Sequence, residues 1–324
     1  MIEVSNLTKR YGAITSVHDV SFTCPTGEVT GFLGPNGAGK STTMRMICGL
    51  TRPSAGHSSI DGTPYRDLPQ PGRTVGVLLD ASAQHAGRTG RETLTLSAKV
   101  LGLPQRRVEQ MLELVGLSGA AAGRRVGNYS LGMRQRLGIA QALLGEPSAL
   151  VLDEPANGLD PEGIAWMRRL LEGFTARGGT VMLSSHLLTE VQAIADRLVI
   201  IAGGRIHADG TLAELLSTTG TLVRGLDPAA LAAALAGAGL AAEDAGDGML
   251  RVEAEAADVG RVAAEHRLVL TELRPAEGAG LEQLFFSLTT GSGAERGDGA
   301  GPGHVDDGTA ADPVPDASTK EPVA

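Results

Sequence analysis

The stretch Gly34-Pro35-Asn36-Gly37-Ala38-Gly39-Lys40-Ser41 constrains this chain more than any other. It fits the spacing of a phosphate-binding loop: Gly, four residues, then Gly-Lys-Ser. Val29 to Leu33 is an apolar, β-branched run that predicts a strand before it. Thr42 onward predicts a short helix that ends at Gly49. The glycines let backbone N–H groups turn inward on an anion. The helix start adds a partial positive charge of roughly half an elementary unit. Lys40 would reach terminal phosphates, and the Ser41 hydroxyl would hold Mg²⁺. A ligand-free glycine turn before a helix is the plain alternative, and the strand–loop–helix context argues against it. Alone, the loop implies a nucleoside triphosphate and leaves the kind of machine open.

At 324 residues, the chain has room for one large domain or two smaller ones. Aromatic residues make up only 3% of it, so the core must be built from Leu, Val, Ile and Ala. The net charge of −9 lacks the basic footprint expected of a nucleic-acid binder. The two cysteines, Cys24 and Cys48, form no CxxC, so buried thiols are expected rather than a metal site or a disulfide. Glu3 and Asn6 interrupt any apolar N-terminal run, so no signal peptide is expected. The longest apolar segment, Ala229 to Ala242, is short and mostly Ala and Gly, so no membrane span is expected.

In order along the chain, Ile2 to Val4 and Val17 to Phe22 predict strands before Val29. Tyr11 falls in a Lys9–Gly12 turn, where its ring could stack on a base or simply fill the turn. Ser58 to Asp61 and Val75 to Leu79 predict further strands. From about 84 to 145 helical spacing takes over, with many arginines, and predicts a helical insert. Ala149 to Asp153, Thr180 to Ser184 and Leu198 to Ile201 return to buried strands, with helices at Glu162–Ala176 and Leu187–Ala195 between them. This alternation predicts an α/β fold, a mainly parallel sheet covered on both faces. Gly203 to Gly210 predicts a closing hairpin. From 221 to 290 the order βαββαβ, then a helix at Leu281–Leu288, predicts a small ferredoxin-like α+β appendix. Its Asp227-Pro228 pair starts a helix, and Asp247-Gly248 marks a hairpin. Residues 291–324 hold seven acids against Arg296 and Lys320, so they carry −5 of the −9. They have almost no large apolar side chain and are expected to be disordered.

Two further constellations carry chemistry. Asp153-Glu154 ends an apolar strand, and in parallel sheets ligands sit at that strand edge. Asp153 can hold Mg²⁺ directly or through water, and Glu154 is placed to polarise an attacking water. Tyr129-Ser130-Leu131-Gly132-Met133 precedes an apolar-periodic helix from Leu137 to Leu144. Ser130 is a natural cap there, and with Gly132 it offers a second anion-seeking helix start.

With these motifs in order, residues 2–215 resemble the ATP-binding subunit of an ATP-binding cassette (ABC) transporter. Gly34 to Ser41 matches Walker A, Leu150 to Glu154 matches Walker B, and Tyr129 to Met133 matches the signature. Asn157 to Asp160 matches the D-loop, Ser184-Ser185-His186 the switch histidine, and Tyr11 the adenine-stacking position. The resemblance implies a P-loop NTPase cassette over 1–220, with 221–290 as an accessory domain. It implies ATP and Mg²⁺ as cofactors. Tyr11, Gly34, Pro35, Asn36, Gly37, Ala38, Gly39, Lys40, Ser41, Thr42, Ser130, Gly132 and Asp160 would bind the nucleotide. Ser41, Asp153 and Asp80 would meet the metal, and Glu154, His186 and Asp80 would serve hydrolysis.

Two positions depart from the family pattern. Met133 replaces the usual glutamine of the signature, and Gln135 lies two residues on. Asp80 stands where the Q-loop glutamine is expected, nine residues before Thr89 of the Arg88–Leu94 segment, and that spacing argues against Gln84. An acid there adds negative charge near the phosphates and resembles the drug and antibiotic exporter branch.

One chain carries one set of motifs, so the resemblance implies a second cassette, a homodimer, and a separate integral-membrane permease. The expected place is the cytoplasmic face of a membrane, peripherally, with export of a drug, antibiotic or lipid-like substrate. An importer ATPase, or a soluble ABC-type switch on nucleic acid or ribosomes, is the alternative. Such switches carry a second cassette or a coiled coil, and this chain shows neither.

Overall fold

The computed structural model describes residues 1–216 and 220–276. The expected helix at 281–288 and the expected disordered tail lie outside the described residues.

The first quarter of the chain contains β1 (Ile2–Tyr11), β2 (Ile14–Cys24), β3 (Val29–Leu33), α1 (Lys40–Ile47) and β4 (Ala55–Ile60). Strands β2, β1 and β4 form an antiparallel three-stranded sheet in that order. Strand β1 runs through to Tyr11 instead of stopping at Val4, so Tyr11 ends a strand rather than lying in a turn. The polar Asn6 hid this continuation. It takes a left-handed φ of 49°, and the register with β2 shifts between Val4 and Leu7, as at a bulge.

Next come β5 (Val75–Leu78), α2 (Gly90–Val100), α3 (Gln105–Leu114), α4 (Leu131–Leu143), β6 (Ala149–Leu152), α5 (Pro161–Thr175) and β7 (Thr180–Ser185). Then follow α6 (Leu188–Gln192), β8 (Arg197–Ala202), β9 (Arg205–Thr211) and α7 (Leu212–Leu216). Helix α6 is shorter than the Leu187–Ala195 expectation, and α7 was not legible from spacing. The central sheet runs β5-β6-β7-β3-β8-β9. Its first five strands are parallel, and β9 closes it antiparallel.

Alternate residues of these strands face opposite sides, and two separate cores follow from that. Leu150, Leu152, Val181, Leu183, Leu198 and Ile200 join the helices in one core. Phe32, Ala149, Val151, Met182, Val199 and Ile201 join β1, β2 and α1 in the other. Each fully buried aliphatic side chain stabilises the fold by about 1.5–3 kcal/mol. A sheet buried on both faces therefore needs the continuous apolar runs seen in the sequence.

Helices α2–α4 attach to the first core through Leu94, Leu112 and Leu137. Thr89 caps α2 in a capping box with Glu92, and Ser130 caps α4. Residues 220–276 form β10 (Thr221–Gly225), α8 (Pro228–Gly237), β11 (Ala242–Asp244), β12 (Leu250–Val252), α9 (Ala256–Glu265) and β13 (Leu270–Pro275). The sheet order is β11-β12-β10-β13, all antiparallel, a split βαβ arrangement. Its core, including Val223, Leu231, Leu235, Val252 and Val259, is its own.

Candidate functional site

Four neighbouring strands, β5, β6, β7 and β3, end on one edge of the sheet. Asp80 follows β5, Asp153-Glu154 follows β6, His186 follows β7, and the phosphate loop follows β3. The parallel order alone brings these distant residues together.

The loop must be glycine at Gly34, where a Cβ would lie 2.2 Å from the Ile201 carbonyl oxygen. At Gly39 the φ of 107° is a conformation that side chains rarely adopt. Lys40 opens α1 and is 6% exposed. Its Nζ donates to the carbonyls of Gly34 at 2.6 Å and Pro35 at 3.3 Å, and lies 3.7 Å from Glu154 Oε1. Burial holds its pKa below the ordinary 10.5, and the charges of Glu154 and Asp153 oppose that shift. Beside it, Ser16 Oγ donates to Thr42 Oγ1 at 3.3 Å.

Ser184 on β7 orders the carboxylate pair. Its hydroxyl donates to Asp153 Oδ1 and accepts the Glu154 N–H at 3.0 Å. Glu154 has a left-handed backbone, φ 49°, an uncommon conformation for a residue with a side chain. Its Oε2 lies 2.9 Å from His186 Nδ1, so the carboxylate sits between an imidazole and an ammonium. Asp80 caps a short turn, its Oδ1 accepting from Ser82 N at 2.7 Å and Ser82 Oγ at 2.6 Å. These bonds hold its carboxyl below the usual carboxylate range.

A cavity of about 450 Å³ is lined by Pro35, Asn36, Gly37, Gly39, Lys40, Ser41, Thr42, Asp80, Asp153 and Glu154. Gly34, Ala38 and His186 do not line it, and His186 is tied to it by its contact with Glu154. Four other candidates lie elsewhere. Tyr11 is half exposed, with Lys9 Nζ 4.8 Å from its ring centroid. Asp160 Oδ1 accepts the Gly163 N–H at 2.8 Å as the cap of α5. Ser130 Oγ accepts the Met133 N–H at 3.2 Å. A Cβ on Gly132 would sit 2.9 Å from the Gly158 carbonyl oxygen. Ser16, Ser82, Gln135 and Asn157 also line the cavity and escaped the sequence reading as site residues. Ser184 did too. Its place as the last but one residue of the apolar strand β7 is the only local signal for it.

The donor set fits a magnesium–triphosphate. An ammonium, a hydroxyl and inward backbone N–H groups suit phosphate. Among the described residues no cluster of three or more His, Cys, Asp or Glu could hold a metal alone, and Mg²⁺ bound by one or two side chains plus phosphate oxygens is the common pattern.

A parallel sheet that carries a phosphate loop and a carboxylate pair at its strand ends defines a P-loop nucleotide-binding protein. Residues 17–157 match the family described as ABC transporter, and residues 219–282 match a domain of unknown function, DUF8746. The bacitracin transport ATP-binding protein BcrA of Bacillus licheniformis is 41% identical over 209 residues, 64% of this chain and 68% of that one. The lantibiotic transport ATP-binding protein SrtF of Streptococcus pyogenes is 38% identical over 208 residues, 64% of this chain and 89% of that one. A solved ATP-binding subunit of an ABC transporter superposes with a TM-score of 0.61 at 33% identity, covering 66% of this chain and 91% of that one. The chain belongs to the ABC transporter family, as an ATP-binding subunit. Among the described residues no helix is long and apolar enough to cross a membrane.

Proposed function

We propose that the chain hydrolyses ATP as one of two identical cassettes and drives export of an antibiotic-class or lipid-like substrate through a separate membrane subunit. The observation that carries hydrolysis is Glu154, held at the edge of the phosphate-loop cavity between Lys40 and His186. Lys40 and the loop N–H groups would bind the phosphates. Mg²⁺, held by the Ser41 hydroxyl and the Asp153 carboxylate, would neutralise charge on the phosphates. Glu154 would take a proton from the attacking water, and His186 would orient that carboxylate and meet the terminal phosphate.

The placement of the second helix start supports the dimer. The second helix start meets the cavity through Leu131, while Ser130 and Gly132 do not line it. Supplied across a dimer, that helix start would complete the site of a second cassette. To move such a pair from mostly open to mostly closed, ATP must favour closure by about 5.5 kcal/mol. Transport of an antibiotic-class cargo is supported by the names of the bacitracin and lantibiotic transport relatives. On this reading the chain works peripherally at the cytoplasmic face of a membrane, docked on the permease subunit.

The test is Glu154→Gln. ATP binding should persist, and turnover should fall about 10²–10⁴-fold, as for loss of a general base. That is about 3–5 kcal/mol of barrier. A wild-type ATPase rate in this variant removes Glu154 from its role.

A further inference from the structure

Gln135 lies on α4, five residues past the Ser130 cap. It is 4% exposed and lines the same cavity as Lys40 and Glu154. Its Nε2 donates to the Glu154 backbone carbonyl at 2.9 Å. The acceptor is a carbonyl, so the amide nitrogen, not the amide oxygen, must face it. Its Oε1 is buried with no hydrogen-bond partner among the described residues. Buried polar atoms are seldom left unpaired.

The carbonyl it holds belongs to a strained residue. Glu154 has φ 49°, a conformation that persists only when the surroundings over-determine it. Two side chains fix its peptide groups. Ser184, from the sheet, accepts the N–H at 3.0 Å, and Gln135, from the helical insert, binds the carbonyl at 2.9 Å.

We propose that Gln135 is the positioning residue of Glu154: by clamping its carbonyl it keeps the left-handed turn that aims the carboxylate at His186 and Lys40. The proposal rests on the reading of Glu154 as the general base. Gln135 also ties that base to the helix that starts at Ser130 and Gly132. A shift of α4, as when its N-terminus meets a nucleotide on another cassette, would then be felt at the carboxylate of its own site.

The experiment uses the full-length chain. Gln135→Met nearly preserves volume and helix propensity but cannot donate. Single-turnover hydrolysis should fall about 10- to 100-fold, with ATP affinity within about twofold of the parent. Gln135→Glu, which keeps the shape and sets a carboxylate against the carbonyl, should be at least as slow. In a Glu154→Gln background, Gln135→Met should cost less than about twofold more, because no base remains to be aimed. A parental rate in Gln135→Met, an equal loss in both backgrounds, or a loss that tracks ATP affinity overturns the proposal. If Glu154→Gln alone keeps the parental rate, the reading of Glu154 fails. If it is slow while Gln135→Met is fast, only the role of Gln135 fails.

Discussion

His186 Nδ1 lies 2.9 Å from Glu154 Oε2, and Lys40 Nζ lies 3.7 Å from the other oxygen of the same carboxylate. With an ionised Glu154 the hydrogen of the first contact must sit on Nδ1, because a carboxylate only accepts. That leaves Nε2 as the ring atom for the phosphate side. His186→Ala removes the first contact and the ring nitrogen for the phosphate side, and leaves Glu154 anchored by its backbone and Lys40. Turnover should fall about 10²-fold or more, with ATP binding retained. Steady-state rates beside a nucleotide titration check this, and a His186→Ala variant at wild-type turnover sinks it.

How much of this site could be read from the chain depends on the kind of signal each residue leaves. The phosphate loop is local: its glycines are dictated by backbone shape at Gly34 and Gly39, so sequence spacing finds it. Asp153 and Glu154 were legible because an apolar strand stops abruptly before them. Ser184 and Gln135 were not legible as site residues. Their roles exist only once β6, β7 and α4 are side by side, and neither residue type announces a partner 30 or 19 positions away. The fold followed the same division. The two-sided core made the parallel strands visible as apolar runs, whereas β1 was cut short in the reading by Asn6, whose bulge is a tertiary feature. Tyr11, Ser130, Gly132 and Asp160 carry motif signals, and the structure keeps all four off the cavity lining, with Ser130 and Asp160 capping helices instead.

Lys40 sets a pH dependence. Burial lowers its pKa below 10.5 in the free protein. The ammonium, not the amine, attracts phosphate. As pH rises through the lowered value the free protein loses that proton, so ATP must bind together with a proton and affinity falls. The decline should begin below the pH at which an exposed lysine titrates, at up to about tenfold per pH unit. Below that range the profile should be flat with respect to this group. Titration of ATP binding from pH 7 to 10 checks it, with Lys40→Ala expected to bind no ATP at any pH. A flat profile across the alkaline range counts against Lys40 as the phosphate cation.

Asp80 tests the departure from the family pattern. Ser82 occupies its Oδ1, and its carboxyl is held below the usual range, so it stays charged at working pH. The residue also lines the cavity, where its charge can meet a cation. Asp80→Asn keeps an acceptor for Ser82 and removes the charge. The Mg²⁺ concentration for half-maximal ATPase should rise by about tenfold, while metal-free nucleotide binding should hold or tighten, since one negative charge near the phosphates is gone. An unchanged Mg²⁺ requirement would take Asp80 out of the metal set.

The accessory domain is open to a deletion test. Its core, drawn from residues such as Val223, Leu231 and Val259, shares no buried residue with either cassette core. It also displays apolar side chains: Leu226 is 71% exposed and Val269 60%, and the two are joined by a 3.0 Å bond from Leu226 N to the Val269 carbonyl. A paired apolar patch fits a protein contact, and the second cassette is expected to cover it. A chain ending at Gly220 should fold and bind ATP as the full chain does. In the Glu154→Gln background with ATP, its dimer should be weaker by roughly tenfold or more, which is about 1.4 kcal/mol. Full-length chain carrying Leu226→Arg with Val269→Asp should lose dimer affinity the same way, which separates the patch from everything else the deletion removes. Sedimentation across a concentration series reads both. Parental dimer affinity in the double variant removes the patch from the dimer interface.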